Sequence, residues 1–232
     1  MVDLPARTPP PTRAQKTSIA LMACGAVLFL WAAIYPYPGL VCLALVGLSP
    51  FLALALPVVT RGRWTLFYSD KDKPAVGGLL FLPGLGLGAN MLLQEWHLLA
   101  GVEPYLAALG LTAVLSLLTF LMRGGVKLET KFIFVLIFSF WAWGWSTLVF
   151  ANFLWTSADP VVFRAEVHGK AQRYREIIVE SWRYEDGPIS YRSSNADYRA
   201  VTEGGPVCIV VQTGLLGWRW SYAEACQDAT SP

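Results

Sequence analysis

TSIALMACGAVLFLWAAIYPYPGLVCLALVGLSPFLALALPVVT, residues 17–60, runs for 44 residues between Lys16 and Arg61 without a formal charge. As one straight helix it would rise about 66 Å, twice the roughly 30 Å hydrocarbon core of a bilayer, so it has to reverse. Tyr35-Pro36-Tyr37-Pro38-Gly39 supplies the reversal. Each proline removes a backbone donor and biases the residue before it away from helix, and tyrosine suits the membrane interface. The stretch predicts two membrane spans, 17–35 and 39–60.

Working outward, three more charge-free stretches, 74–94, 104–122 and 132–155, have the length a bilayer requires. The expected fold is a membrane α-helical bundle of five transmembrane helices, 17–155, followed by a small mostly-β extracytoplasmic domain, 156–232. Residues 1–16, with four prolines, read as a disordered cytoplasmic leader. Leu21-Met22-Ala23-Cys24 has the look of a lipoprotein cleavage box, but only seven residues separate Lys16 from Cys24 and the apolar run continues beyond it, so an uncleaved signal-anchor is the better reading.

Orientation follows from the basic residues. Segments 1–16, 61–73 and 123–131 carry three, four and three Lys or Arg, and the connections on the opposite side carry none. Short basic segments stay cytoplasmic, which places the N-terminus inside and, with an odd number of spans, the tail outside. The tail's eight Lys and Arg are compatible with export, since long domains translocate largely regardless of charge. The expected location is a bacterial inner membrane with the C-terminal domain in the periplasm.

Composition agrees. The chain of 232 residues is 55% hydrophobic and 15% charged with ten tryptophans, and its mean hydropathy is +0.46. That excludes an ordinary soluble enzyme, a disordered chain and a disulfide-dense scaffold. A net charge of +2 gives no reason to expect a nucleic-acid partner.

The tail carries ten acidic and eight basic residues in 77 positions. Val161, Phe163, Ala165 and Val167 alternate with polar neighbours, the period of a half-buried strand. Residues 173–184, 191–192, 198–201 and 207–212 are further strand candidates, and Trp218, Trp220 and Tyr222 line one face of a last strand. So small a sheet usually needs a staple, and Cys208 and Cys226 are expected to form a disulfide. Cys24 and Cys42, about 12 Å apart in depth along the hairpin, are expected to remain thiols and to pack as small apolar residues. The tail is expected to fold independently.

Gly84-Leu85-Gly86-Leu87-Gly88-Ala89 fits a loose dinucleotide pattern but lies inside an apolar span with no preceding strand. Gly84 and Gly88 read instead as a helix-packing pair. Asn90, Gln94 and His97 share a helical face, with Glu95 and Glu103 in the same connection. This polar cluster could relay protons or hold a metal, although interfacial position alone explains it. Thr112, Ser116 and Thr119 share a face of span four, and Trp141 and Trp145 face away from Trp143. Glu166, His168 and Arg164 share a strand face with no nucleophile beside them. No catalytic, cofactor-binding or metal-binding residue is assigned, and no cofactor is expected. Trp182, Trp218, Trp220 and Tyr222 are candidate binding aromatics, since aromatic residues dominate interface energetics.

The overall pattern resembles bacterial inner-membrane proteins that join several spans to a small extracytoplasmic β domain. Cys208-x5-Gly214-x2-Gly217-Trp218 followed by Cys226 is its most specific part. The resemblance is architectural and carries no activity. The expected partners are the lipid bilayer and an envelope protein, and the expected function is non-enzymatic partner binding, as an accessory of envelope assembly. A small-molecule or ion permease subunit and a membrane enzyme are the alternatives. The spans contain no Lys, Arg, Asp or Glu, which weighs against a proton-coupled transporter.

Overall fold

Thr12 starts the first helix. Its hydroxyl accepts from the Gln15 backbone N–H while the Gln15 side chain accepts from the Thr12 N–H, a reciprocal capping box that satisfies two of the helix's orphan donors. In the structure, a computed structural model, residues 12–66, 73–93, 97–122, 130–156 and 159–226 are described. Helix α1 is Arg13–Ile34, so 13–16, expected in the disordered leader, form its first turn; the rest of that leader lies outside the described residues. The Tyr-Pro-Tyr-Pro segment ends α1, and α2 (Gly39–Val59) follows.

Helices α3 (Gly77–Leu93), α4 (Glu103–Met122) and α5 (Thr130–Leu154) complete the helical part. Among the described residues four helices, not the expected five, are long and apolar enough to cross a membrane: α1, α2, α4 and α5. The expected third span, 74–94, is shortened to a helix of 17 residues. Its first residues are held extended, because the Val76 N–H donates to the Thr65 carbonyl and the Ala75 N–H donates to the Ser18 hydroxyl. The chain divides into two compact units, one of residues 1–89 and 109–147, the other of residues 90–108 and 148–232.

Within the first unit, glycines on α3 set the helix contacts. A Cβ on Gly78 would lie 2.8 Å from the Met22 Cα, and one on Gly86 would lie 2.7 Å from the Phe29 Cα. Contacts that advance together along both chains mean that α3 runs parallel to α1. Against α5, a Cβ on Gly84 would meet the Trp143 Cβ at 2.6 Å, and the Ser146 hydroxyl donates to the Gly84 carbonyl. Gly88 lies by Ser146 at an ordinary 3.8 Å. Trp143 is buried and donates its indole N–H to the Val46 carbonyl of α2, which satisfies the polar atom inside an apolar layer. Thr112 and Thr119 are buried on α4, and Thr119 bonds back to the Leu115 carbonyl. Cys42 is buried and Cys24 is exposed, and both are free thiols.

The second unit is built on β1 (His97–Leu98), β2 (Val161–Ala171), β3 (Glu176–Val179), β4 (Ile189–Arg192), β5 (Pro206–Thr213) and β6 (Arg219–Glu224), with the short α6 (Asn195–Ala200). They form one antiparallel sheet in the order β1-β6-β5-β2-β3-β4. The expected strand 173–184 is realised over its middle as β3: residues 172–175 reverse the chain before it, and Trp182 and Glu185 close a second tight turn after it by exchanging backbone hydrogen bonds. The expected strand 198–201 is also corrected, since Tyr198 belongs to α6. Ser194 caps that helix by accepting from the Asp197 N–H, a local bond that outweighs strand propensity.

β2 serves two neighbours. Residues 161–166 pair with β5, and beyond an irregularity between Val167 and Gly169 the strand pairs with β3. That bend coils the sheet, and its two edges approach where the His97 ring lies 6.0 Å from the Tyr191 ring. Val167, Ile177, Val179, Tyr191, Val207, Ile209 and Ala223 fill the interior. The Cys208–Cys226 disulfide ties β5 to the end of β6.

Candidate functional site

The sheet presents two groups of side chains worth testing as sites, one inside and one on its surface. The inner group centres on Tyr191, whose hydroxyl shares a hydrogen bond with Ser221 at 3.1 Å. His97 is paired in register with Ser221 and rests its ring edge-on against Tyr191. Burial pushes the Tyr191 phenol up to about 12, partly offset by its hydrogen bond to Ser221. The phenol therefore keeps its proton at ordinary pH and acts as a hydrogen-bonding clasp between β4 and β6. Ser221 is fully buried, which denies a substrate access to its hydroxyl.

The surface group is aromatic and cationic. Phe163, Trp182 and Tyr184 form a mutual triangle with ring centroids 5.7, 5.7 and 5.6 Å apart, two of the three contacts being edge-on. The Arg183 guanidinium lies 5.8 Å from the Phe163 ring and 5.9 Å from the Tyr184 ring, and Arg219 lies 5.2 Å from the Tyr184 ring from another strand. These distances are within cation–π range. Phe163 and Trp182 are anchored by packing on the sheet's core, while Tyr184 and both arginines are exposed. Strand β2, the Trp182 turn and β6 thus place rigid rings beneath two cations.

The four expected binding aromatics separate. Trp182 is a corner of the triangle. Trp220 is only 6% exposed, with its ring 4.7 Å from Phe153 and stacked on Tyr222 at 5.8 Å. Trp218 is half-buried, and its carbonyl accepts from the Asn152 amide. Burial raises the Tyr222 phenol above its ordinary value, with nearby Glu224 and Asp197 adding to the effect. Phe163, Arg183, Tyr184 and Arg219 were missed by sequence reasoning. The adjacency of Arg183 and Tyr184 was visible, but a cross-strand partner such as Arg219 follows only from register.

The three described members of the expected polar cluster lie in three different elements. Asn90 is buried near the end of α3, His97 is paired into the sheet as β1, and Glu103 is the exposed first residue of α4. Gln94 and Glu95 lie outside the described residues. Among the described residues no group of three or more His, Cys, Asp and Glu could hold a metal ion. His168 instead pairs with Glu180 at 3.2 Å in an exposed contact. Asn152, buried at the end of α5, accepts from the Leu216 N–H and donates to the Trp218 carbonyl, so it holds the β5–β6 turn at both ends. Comparison with protein-family models, with curated proteins and with solved structures finds no match.

Proposed function

We propose that this is a non-enzymatic integral membrane protein of a bacterial inner membrane. Its β domain binds an envelope partner in the periplasm through the face formed by Phe163, Trp182, Arg183, Tyr184 and Arg219. The observation that carries the reading is the pair of guanidinium groups from two separate segments over one aromatic triangle. Rigid aromatic surface with arginine is the composition of an interface hot spot, and anchoring from below lowers the entropy lost on binding.

The orientation in this proposal has the N-terminus inside, five crossings and the sheet outside. Helix α3 counts as a crossing for two reasons. It runs parallel to α1, with Gly78 by Met22 and Gly86 by Phe29, as the third of five serially crossing helices would. Five crossings also leave all ten basic residues of the short segments on one side, whereas four would divide them seven and three.

The test is site-specific crosslinking in intact cells with Tyr184→benzoylphenylalanine, compared with the same probe at Gln172. A discrete adduct at 184 that weakens when Arg183→Ala and Arg219→Ala are introduced supports the reading. Equal adducts at both positions, or indifference to the arginines, overturns it.

A further inference from the structure

We infer that the β5–β6 turn is a second membrane-contacting element: Leu215 and Leu216 dip into the interfacial layer of the lipid bilayer beside the end of α5. The turn is Gly214-Leu215-Leu216-Gly217. Its two leucines are 58% and 42% exposed, although they are the apolar residues at the tip of an otherwise well-packed hairpin. Gly217 adopts φ +79°, a left-handed conformation that glycine accepts without strain, and the Gly217 N–H donates to the Gly214 carbonyl to close the turn. The leucine pair is therefore presented by a defined turn.

What covers these leucines is indicated by their tether. Asn152 belongs to the last turn of α5, a helix long and apolar enough to cross the membrane and ending at Leu154. Its side chain accepts from the Leu216 N–H at 2.9 Å and donates to the Trp218 carbonyl at 3.0 Å. A Cβ on Gly214 would overlap the Asn152 backbone, so turn and helix end are in direct contact. Thr156 bridges Gly214 just after the helix ends. A turn fixed to the end of a spanning helix has the depth of that helix end, which is the interface.

Neighbouring residues extend the same apolar collar. Trp155 is 42% exposed directly after α5, and Val161 and Val162 are exposed where β2 begins. Tryptophan favours this depth, and an amphipathic element lying there buries its apolar side about 5–10 Å into the headgroup and acyl boundary. The segment 214–218 carries no charge that would resist this. Phospholipid is the occupant, and the inference holds for either orientation of the chain because it depends only on α5 crossing.

The experiment uses the full chain in vesicles of phosphatidylcholine and phosphatidylglycerol. A Cys24→Ala, Cys42→Ala background leaves the Cys208–Cys226 disulfide intact, and Leu215→Cys is labelled with an environment-sensitive nitrobenzoxadiazole dye. Gln172→Cys, in the exposed turn at the far end of β2, is the control. Blue-shifted emission at 215 with several-fold stronger quenching by shallow spin-labelled lipid than at 172 supports the inference. Water-like emission at 215 that lipid-borne quencher does not reach overturns it, and so does equal quenching at both sites. Leu216→Cys is the second variant if Leu215→Cys prevents the disulfide from forming, and the same two outcomes decide it.

Discussion

Gly86→Ala is expected to cost the helical unit more than Gly88→Ala, although the two lie on one helix two residues apart. A Cβ at 86 meets the Phe29 backbone, which cannot move aside alone, whereas one at 88 finds Ser146 at ordinary contact distance. Overpacking costs about 1–3 kcal/mol, while alanine in place of glycine gains up to about 1 kcal/mol of helix propensity. Gly86→Ala and Gly84→Ala should lower the thermal stability of the detergent-solubilised protein, and Gly88→Ala should leave it unchanged or raise it. Tyr191 supports a pH prediction. Its phenol rises from an ordinary 10.0 to about 12 on folding, mainly through burial, so the folded state favours the protonated form. Stability from this group is complete below pH about 10 and is lost as pH climbs toward 12. Tyr191→Phe should flatten that alkaline loss while lowering stability at neutral pH by about 0.5–1.5 kcal/mol through the lost bond to Ser221, readable by denaturant melts at both pH values.

Two elements outside the tail complete its sheet. β1 covers the edge of β6, with His97 opposite Ser221 and Leu98 opposite Trp220, and Asn152 of α5 holds the β5–β6 turn. A fragment of residues 156–232 lacks both. The expected outcome is a lower melting temperature and more self-association than in the intact chain, because an uncovered strand edge pairs with other copies. Light scattering and thermal melts of the two forms would check it. In the full chain, Asn152→Ala removes two hydrogen bonds and leaves backbone groups unsatisfied, a cost of about 1–3 kcal/mol for each group that stays buried. Limited proteolysis should then cut within 214–218 while the rest of the sheet stays protected. Reducing the Cys208–Cys226 bond should lower stability by about 3 kcal/mol in the chain-entropy treatment of its 18-residue separation.

For the whole molecule, topology is the prediction with the widest consequence. A reporter active only after export, fused after Pro232, should be active, and one fused after Lys73 should be silent. Activity at both positions, or at neither, would remove α3 from the crossings and return the sheet to the side of the N-terminus, whereas activity at Lys73 alone would keep five crossings and reverse the orientation. The parallel course of α3 and α1 argues for the first outcome, because a re-entrant segment would turn back toward the side it entered from.

The sequence alone determined the apolar helices long enough to cross a membrane, the Tyr-Pro-Tyr-Pro reversal, the strand-forming character of the tail and the pairing of Cys208 with Cys226. Each rests on a local property: an uncharged run, missing backbone donors, alternation along a strand, or two thiols isolated in one segment. Tertiary structure decided what depends on residues far apart. It shortened the third expected span, because Ser18 and Thr65 hold the segment before Gly77 extended. It paired His97 into the sheet, buried Trp220 against Phe153 and set Arg219 over Tyr184. Strand register and helix contact are set by packing between segments, and a single-segment pattern holds no record of which partner a side chain will meet.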